Sequence, residues 1–212
     1  MEKNTIIDGR LVKAFCCYFT NIPKEMVEIQ KKVFDKFGMH LNQELSRVPH
    51  GIYMDNIMKN IDSDIYIFFD IDAIPLKPGL YEYMVEQIKD DNSLIGIEEA
   101  PNHVDYRNVY AGPACFGITR VVYDKIGKPT FMGKAGRCDT AGELTFAAQK
   151  HNVDVKLILI EKSMDRIWRC GENKWFGHGT FYDGWVYHEF ETPTLIYQMQ
   201  FISRCKHVLS KV

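Results

Sequence analysis

The chain has 212 residues, of which 46% are hydrophobic and 25% are charged, and its formal net charge at pH 7 is −2. This composition is typical of a soluble globular protein and excludes both a disordered chain and a miniprotein held together by disulfides. A net charge so close to zero offers no broad basic field for a nucleic acid or an anionic membrane, so we expect no nucleic-acid partner.

Segments typical of strands and helices alternate along the chain. In order, the apolar patterns and the Gly and Pro positions predict strands at 14–20, 39–42, 64–69, 93–97, a strand closing at 117–119 and a strand at 153–160. They predict helices from Pro23 to Gly38, at 53–60, from Gly79 to about 89, from 120 to 127, from Asp139 or Thr140 as the cap to 151, and at 193–211. This alternation predicts an α/β fold with a central, mostly parallel sheet flanked by helices, as one domain spanning residues 1–212.

The sequence also predicts a reduced, cytoplasmic protein. Its longest apolar runs are far shorter than the roughly 20 residues of a membrane-spanning helix, and its first residues lack the basic-then-apolar pattern of a signal peptide. The six cysteines include no Cys-x-x-Cys pair, which favours buried thiols over disulfides. We therefore expect no membrane span.

Two acidic residues, Asp70 and Asp72, directly follow the continuous apolar run 65–69. Such a run is typical of a strand that is buried on both faces, and open α/β sheets bind ligands beyond the carboxyl ends of their strands. Two carboxylates flanking Ile71 there can hold a hard divalent cation, Mn²⁺ or Mg²⁺. The alternative is an acidic pair that only caps backbone amides in a turn.

With these residues the sequence resembles the GT-A-fold glycosyltransferases, whose Asp-x-Asp motif follows such a strand and holds a divalent cation against the diphosphate of a nucleotide sugar. Tyr110-Ala111-Gly112 resembles the Asn-Ala-Gly segment that contacts the donor sugar in retaining lipopolysaccharide-type galactosyltransferases. Asp139-Thr140 is similar to their Asp-Gln pair near the anomeric carbon. Val186-Tyr187-His188 resembles the late segment whose histidine completes their metal site.

Residues 68–76 also resemble the small glycosyltransferase domain encoded by chlorella viruses, which for a virus-encoded chain implies the host cytoplasm. Two departures limit what is carried over. The Gly-x-x-Lys-Pro-Trp tail after the family histidine is replaced by 189–193, so no lysine contact to phosphate is implied. Tyr110 and Thr140 replace the family Asn and Gln, so no nucleophile is implied at Thr140.

The resemblance implies a Rossmann-like GT-A domain that transfers a hexose from a UDP-sugar to a hydroxyl of a glycan acceptor, with retention of configuration, and we expect a monomer. The residues that it implies are Asp70, Asp72 and His188 for the metal, Asp139 for catalysis, and Thr20, Asn21, His50, Asp70, Ile71, Asp72, Tyr110, Ala111 and Gly112 for the donor. Glu143, one helical turn after Asp139, is the next candidate for catalysis. Thr20 and Asn21 are assigned to the nucleotide base, and His50 to the phosphates.

Several residue assignments stay open at the level of sequence. His178 competes with His188 as the histidine ligand, and a zinc site of Cys170, His178 and His188 has no recognisable spacing. Glu98 and Glu99 either bond sugar hydroxyls or are exposed loop acids. The Trp- and Gly-rich stretch 168–185 either closes over a sugar or fills the core.

Two other functions also stay open. Haloacid-dehalogenase-like phosphatases place an Asp-x-Asp motif after an apolar strand as well, although no downstream Gly-Asp-x-x-x-Asp segment is present here. A noncatalytic domain that binds nucleotide sugars would share the same site. Metal-dependent turnover of the donor distinguishes such a domain from an enzyme.

Overall fold

A computed structural model describes residues 5–102 and 105–211. Its strands are β1 (Thr5–Ile7), β2 (Arg10–Tyr18), β3 (Asn42–Leu45), β4 (Ile65–Phe69), β5 (Ala73–Pro75), β6 (Ser93–Glu99), β7 (Tyr110–Thr119), β8 (Asp154–Ile158), β9 (Ile160–Ser163), β10 (Trp168–Cys170), β11 (Lys174–Phe176), β12 (Thr180–Tyr182) and β13 (Val186–His188). Its helices are α1 (Lys24–Lys36), α2 (His50–Asn60), α3 (Leu80–Ile88), α4 (Arg120–Lys125), α5 (Gly142–Lys150) and α6 (Leu195–Ser210).

The main sheet of the described residues has seven strands in the order β1-β2-β4-β7-β6-β8, with β3 beside the second half of β2. Strands β2, β3, β4, β6 and β8 run in one direction, and β1 and β7 run in the other. Helices cover both faces. The structure confirms the predicted α/β fold with a central, mostly parallel sheet flanked by helices.

The central strand β4 separates two hydrophobic cores. Ile65, Ile67 and Phe69 face the core formed with α1, α3 and α6, whereas Tyr66 and Phe68 face the core formed with α2, α4 and α5. Every residue of β4 is buried, and burial of each such side chain stabilises the fold by about 1.5–3 kcal/mol. This packing holds β4 in place, so that the chain leaves the sheet at a defined point.

A smaller antiparallel sheet, in the order β5-β13-β12-β9, lies beside that exit point. Strand β5 begins one residue after Asp72, and β13 pairs with it in a register that sets His188 opposite Ala73. The late histidine is thereby brought next to the acidic pair, although 116 positions along the chain separate it from Asp72.

The boundaries of several predicted elements are wrong, and the strand predicted at 39–42 is β3 at Asn42–Leu45. The single strand predicted at 153–160 is two strands, β8 and β9, which belong to different sheets. Helix α5 begins at Gly142, and its cap is Ala141 with a left-handed φ of 67° and no side-chain hydrogen bond, so neither Asp139 nor Thr140 caps it. The stretch 168–185 contains three short strands, and its Trp168 packs on Phe176 and Phe190.

Helix α6 docks against the main core as predicted, through Phe201, Cys205 and Val208. The spacing of Leu195, Met199, Ile202 and Val208 in the sequence predicts one apolar contact face. That prediction is partly wrong, because Leu195 and Met199 are 69% and 63% exposed. All six cysteines lie within the described ranges, and they are free and buried. No helix among the described residues is long and apolar enough to cross a membrane.

Candidate metal and donor site

Two carboxylates and one imidazole meet where β4 ends. The Nε2 atom of His188 lies 3.3 Å from Oδ1 of Asp72 and 3.9 Å from Oδ2 of Asp70. Among the described residues these three side chains form the group suited to hold a metal ion, with one ligand atom from each within 4.8 Å of the others. The side-chain amide of Gln30 donates to the carbonyls of Asp70 (2.7 Å) and Ala73 (2.9 Å), which holds the turn between them.

A second layer of hydrogen bonds comes from the segment after β13. The hydroxyl of Thr192 donates to Oδ2 of Asp72 at 2.8 Å, and the backbone N–H of Glu189 donates to the carbonyl of Asp72 at 2.9 Å. Such partners orient metal ligands and tune their basicity. Sequence reasoning missed Thr192, because it lies where the family tail is absent and no local pattern marks it.

The electrostatics of the cluster also suit a cation. Burial lowers the pKa of the His188 imidazole, but attraction to Asp72, a hydrogen bond that the ring donates to Asp72, and the charges of Asp70 and Glu99 outweigh burial and raise the pKa to about 9. The pKa of Asp70 is raised, first by burial and also by Asp72, while His50 and His188 oppose the shift. The carboxylates of Asp70 and Asp72 thus stabilise a positive charge at this position. Two carboxylates and one neutral imidazole are a ligand set that fits a hard divalent cation such as Mn²⁺ or Mg²⁺.

His50 lies beside this cluster. It is the first residue of α2, and its Nδ1 atom is 3.4 Å from Oδ1 of Asp70. Its side chain is 21% exposed, so it borders both the acidic pair and solvent. The N–H groups at a helix N-terminus favour anions, and His50 therefore stands between the candidate metal site and a position that suits phosphate.

Thr20 and Asn21 lie at the same edge of the sheet. Both are exposed in the turn after β2, and β2 is a parallel neighbour of β4 with Cys16 opposite Phe69. A cleft of about 390 Å³ at this turn is lined by Tyr18, Phe19, Thr20, Ile22, Lys24, Val27, Glu28 and Leu45. The structure therefore places Thr20, but not Asn21, on the wall of a cleft.

The segment Tyr110-Ala111-Gly112 opens strand β7 and is buried. Tyr110 pairs directly with Glu99 at the end of β6, and the N–H of Ala111 donates to the Thr145 hydroxyl at 3.0 Å. Gly112 packs against Glu99 so closely that a Cβ atom at position 112 would lie 2.0 Å from its Oε2 atom. This segment therefore forms part of the wall that also carries Glu99.

Glu98 and Glu99 differ, and neither is an exposed loop acid. Glu98 is 7% exposed, its carboxylate lies 2.6 Å from Nζ of Lys174, and it accepts the N–H of Ile160 at 2.9 Å. These contacts join β6 to β9 and β11, so Glu98 holds the fold together. Glu99 carries a buried Oε2 atom with no hydrogen-bond partner among the described residues.

The two candidate catalytic acids also occupy different environments. Glu143 lies in the first turn of α5, where Nε of Arg137 is 3.4 Å and Sγ of Cys138 is 3.4 Å from its Oε1 atom. Asp139 lies in the loop before α5, and its charge contributes, after burial, to the raised pKa of Glu99. Of the two acids, Asp139 therefore has the electrostatic link to the wall formed by Tyr110 and Glu99.

His178 lies in a separate, structural environment. Its buried ring stacks on Tyr197 with 3.7 Å between ring centroids. Its Nε2 atom is 3.1 Å from Glu191, and its Nδ1 atom is 3.5 Å from Asp165. It joins no metal-ligating group among the described residues, and the alternative zinc site with Cys170 is not formed there either.

The two histidines give a direct prediction. His188→Ala is expected to weaken Mn²⁺ binding by about 10-fold or more, because it removes a ligand whose Nε2 atom lies 3.3 Å from Asp72. His178→Ala is the matched control, and we expect it to leave Mn²⁺ affinity nearly unchanged. Titration with Mn²⁺, followed by electron paramagnetic resonance, measures both. The opposite pattern in two folded variants would move the ligand to His178.

The fold matches solved structures at low sequence identity. A mannosyltransferase from Pyrobaculum calidifontis, in complex with GDP-Man and Mn²⁺, superposes with a TM-score of 0.50 and 10% identity, covering 69% of this chain and 54% of that one. A protein from Bacillus anthracis assigned as a glucose-1-phosphate thymidylyltransferase, in complex with sucrose, also superposes with a TM-score of 0.50, at 7% identity, covering 92% of this chain and 95% of that one. The chain thus spans about half the length of the mannosyltransferase.

The sequence matches no protein-family model and no curated protein. The superpositions show the fold, which is GT-A-like, as the sequence resemblance implied. Within that fold, the group formed by Asp70, Asp72 and His188 lies at the carboxyl end of the central strand. This edge is where open α/β sheets bind their ligands.

Proposed function

We propose that this protein is a metal-dependent glycosyltransferase that transfers a hexose from a UDP-sugar to a hydroxyl of a glycan acceptor, with retention of configuration. One observation carries the proposal: Asp70, Asp72 and His188 converge at the carboxyl end of β4 in a GT-A-like fold. The mannosyltransferase of the same fold binds GDP-Man and Mn²⁺, which supports a nucleotide sugar and a divalent cation as the ligands.

The proposed roles near the diphosphate follow from these positions. Asp70, Asp72 and His188 would hold the cation, which when bound neutralises charge on the departing nucleoside diphosphate. His50, next to Asp70 at the N-terminus of α2, is placed to contact a phosphate oxygen. The cleft beside Thr20 is of a size to accept the nucleotide base.

The proposed roles near the sugar are assigned to residues at the start of β7 and around the start of α5. Tyr110, Ala111 and Gly112 would face the sugar ring, as their resemblance to the Asn-Ala-Gly segment implies. Asp139 would lie beside the anomeric carbon, where its carboxylate stabilises the positive charge that develops as the glycosidic bond breaks. Glu143 is the second choice for this role, because Arg137 already neutralises it.

The fold favours a transferase over the phosphatase that the Asp-x-Asp motif alone left open. Both superposed structures have transferase names, and neither is named as a phosphatase. A histidine in the acidic group also favours a site that binds a metal over one in which Asp70 acts as a covalent nucleophile. A noncatalytic domain that binds nucleotide sugars remains the second candidate, since it would share every contact described for this site.

Thermal unfolding with a panel of UDP- and GDP-sugars, each with and without Mn²⁺, tests the proposal. A ligand at 100 times its Kd stabilises the native state by about 2.7 kcal/mol, which for this chain length corresponds to a Tm rise of about 5–10 °C. We expect this rise for a UDP-sugar only when Mn²⁺ is present, and release of UDP when a glycan acceptor is added.

Each other outcome of this panel has a distinct meaning. Absence of a Mn²⁺-dependent rise for all of the nucleotide sugars would refute the proposed function. A rise for GDP-sugars alone would keep the glycosyltransferase and correct the nucleotide. Binding without turnover across a set of glycan acceptors would favour the noncatalytic domain.

A further inference from the structure

Among the described residues, seven buried polar side-chain atoms have no hydrogen-bond partner, and two of them belong to adjacent strands of the main sheet: Oε2 of Glu99 and the hydroxyl of Tyr110. The two residues are direct cross-strand partners on β6 and β7, so their side chains lie on the same face of the sheet. Buried polar groups in native proteins nearly always have partners, and an unpartnered group destabilises the fold. Two such groups side by side indicate that a ligand supplies the missing hydrogen bonds.

The backbone nearby leaves room for this arrangement. A Cβ atom on Gly112 would lie 2.0 Å from Oε2 and 2.9 Å from Cβ of Glu99. Gly112 does not have the left-handed φ that favours glycine. Glycine is therefore required here because a side chain would clash with Glu99, and not because of the backbone conformation. The missing side chain at position 112 allows the Glu99 carboxyl group to lie against the strand that begins with Tyr110.

The charged groups around Glu99 indicate where Glu99 and Tyr110 lie relative to the metal-ligating group, and which ligand groups they disfavour. Burial, opposed by His188 and aided by Asp70, Asp139 and Asp72, raises the pKa of Glu99 to about 8. The pair therefore lies within electrostatic reach of both the metal-ligating group and Asp139. When a cation neutralises Asp70 and Asp72, the carboxyl groups of Asp139 and of Glu99 itself still disfavour a ligand group that carries its own carboxylate at this position.

We propose that Glu99 and Tyr110 determine donor specificity: they hydrogen-bond ring hydroxyls of a neutral hexose and discriminate against a uronic acid donor. The inference rests on the proposed function, whose donor is a nucleotide sugar. A carboxyl group and a phenol hydroxyl together accept from and donate to the vicinal hydroxyls of a sugar. A site built on such groups rejects an analogue that leaves them unpaired or adds a like charge.

Glu99→Gln tests the inference, because it keeps the shape of the side chain and replaces the ionisable carboxyl group with an amide that cannot ionise. Calorimetry with Mn²⁺ measures the binding of UDP, UDP-glucose and UDP-glucuronate. The wild type is expected to bind UDP-glucose at least about 10-fold more tightly than UDP-glucuronate. In the variant we expect UDP-glucose to bind about 10-fold more weakly, UDP to bind within about twofold of wild type, and the preference over UDP-glucuronate to shrink. Glu86→Gln, the same change at an exposed position of α3, is the control and should alter none of these affinities.

Tyr110→Phe separates a ligand-binding role from a structural one. It deletes only the unpartnered hydroxyl, so we expect the Tm of the free protein to stay the same or rise while UDP-glucose binds more weakly. A hydroxyl with a structural role would lower the Tm instead, and that result would contradict the inference.

The two proposals fail in different ways. A wild type that binds neither UDP nor UDP-sugars with Mn²⁺ would overturn the proposed donor and this inference with it. A Glu99→Gln variant with wild-type affinity for both UDP-sugars would overturn this inference alone. Loss of UDP binding in the same variant would place Glu99 in support of the metal site and would also refute its role in specificity.

Discussion

Replacing Asp72 with alanine is expected to abolish Mn²⁺-dependent binding of UDP and UDP-sugars while the protein stays folded. The carboxylate of Asp72 is 3.3 Å from Nε2 of His188 and accepts a hydrogen bond from Thr192, so it lies at the centre of the metal-ligating group. Loss of a charged metal ligand weakens binding by several kcal/mol, which corresponds to about 100-fold or more. The substitution removes little apolar packing, so the free energy of unfolding should change far less than the binding free energy.

Calorimetry with UDP and Mn²⁺ measures this effect, and far-UV circular dichroism reports the fold. Asp35→Ala, at an exposed position on α1, is the matched control and should bind as the wild type does. If a folded Asp72→Ala protein binds UDP and Mn²⁺ undiminished, the acidic pair is not the metal site. The pair would then only cap the turn that follows β4.

Asp139→Asn is expected to retain binding of UDP and Mn²⁺ but to lose sugar transfer by about 10²- to 10⁴-fold in kcat. The substitution keeps the shape and hydrogen-bonding capacity of the side chain and removes the charge that we assign to the anomeric centre. The N-cap residue of α5 is Ala141 and not Asp139, and unchanged UDP binding by the variant would show that a loss of activity does not come from a disturbed loop before this helix. A fall in kcat with unchanged nucleotide affinity identifies an interaction made only in the transition state.

Steady-state kinetics with a glycan acceptor measures that fall, and NMR of the wild-type product separates two roles for Asp139. Retention of configuration fits a stabilising carboxylate, whereas inversion fits a base that deprotonates the acceptor. A wild-type rate for Asp139→Asn would exclude Asp139 from catalysis. Glu143→Gln, which breaks the ion pair with Arg137, would then be the next variant to measure.

The local features of the site could be predicted from the sequence alone. An unbroken apolar run indicated that β4 is buried on both faces, and the two acids after it indicated a ligand site at the carboxyl end of that strand. Both inferences depend only on the order of residues in one short segment, because burial on two faces requires apolar residues at every position. The alternation of strand and helix patterns predicted the α/β layers for the same reason.

Interactions between distant segments were not predictable in this way. The pairing of β13 with β5 decides that His188 meets Asp72, while His178 joins Glu191 and Tyr197 instead. In the sequence, both histidines are single residues in short aromatic segments. The choice depends on strand register between segments more than 100 positions apart, which no local periodicity encodes.

The sequence by itself determined the layer architecture, the buried central strand and the position of Asp70 and Asp72 at its end, because each of these follows from hydrophobic pattern within a few residues. Only the tertiary structure decided that Thr192 supports Asp72 and that Glu98 pairs with Lys174, whereas Oε2 of Glu99, beside Tyr110, has no hydrogen-bond partner in the described part of the chain. Two adjacent glutamates on a strand point to opposite faces of the sheet. Their hydrogen-bond partners differ because different segments of the chain pack against those two faces. The chemistry of a polar residue therefore depends on its partners in space, and the fold brings those partners in from distant parts of the chain.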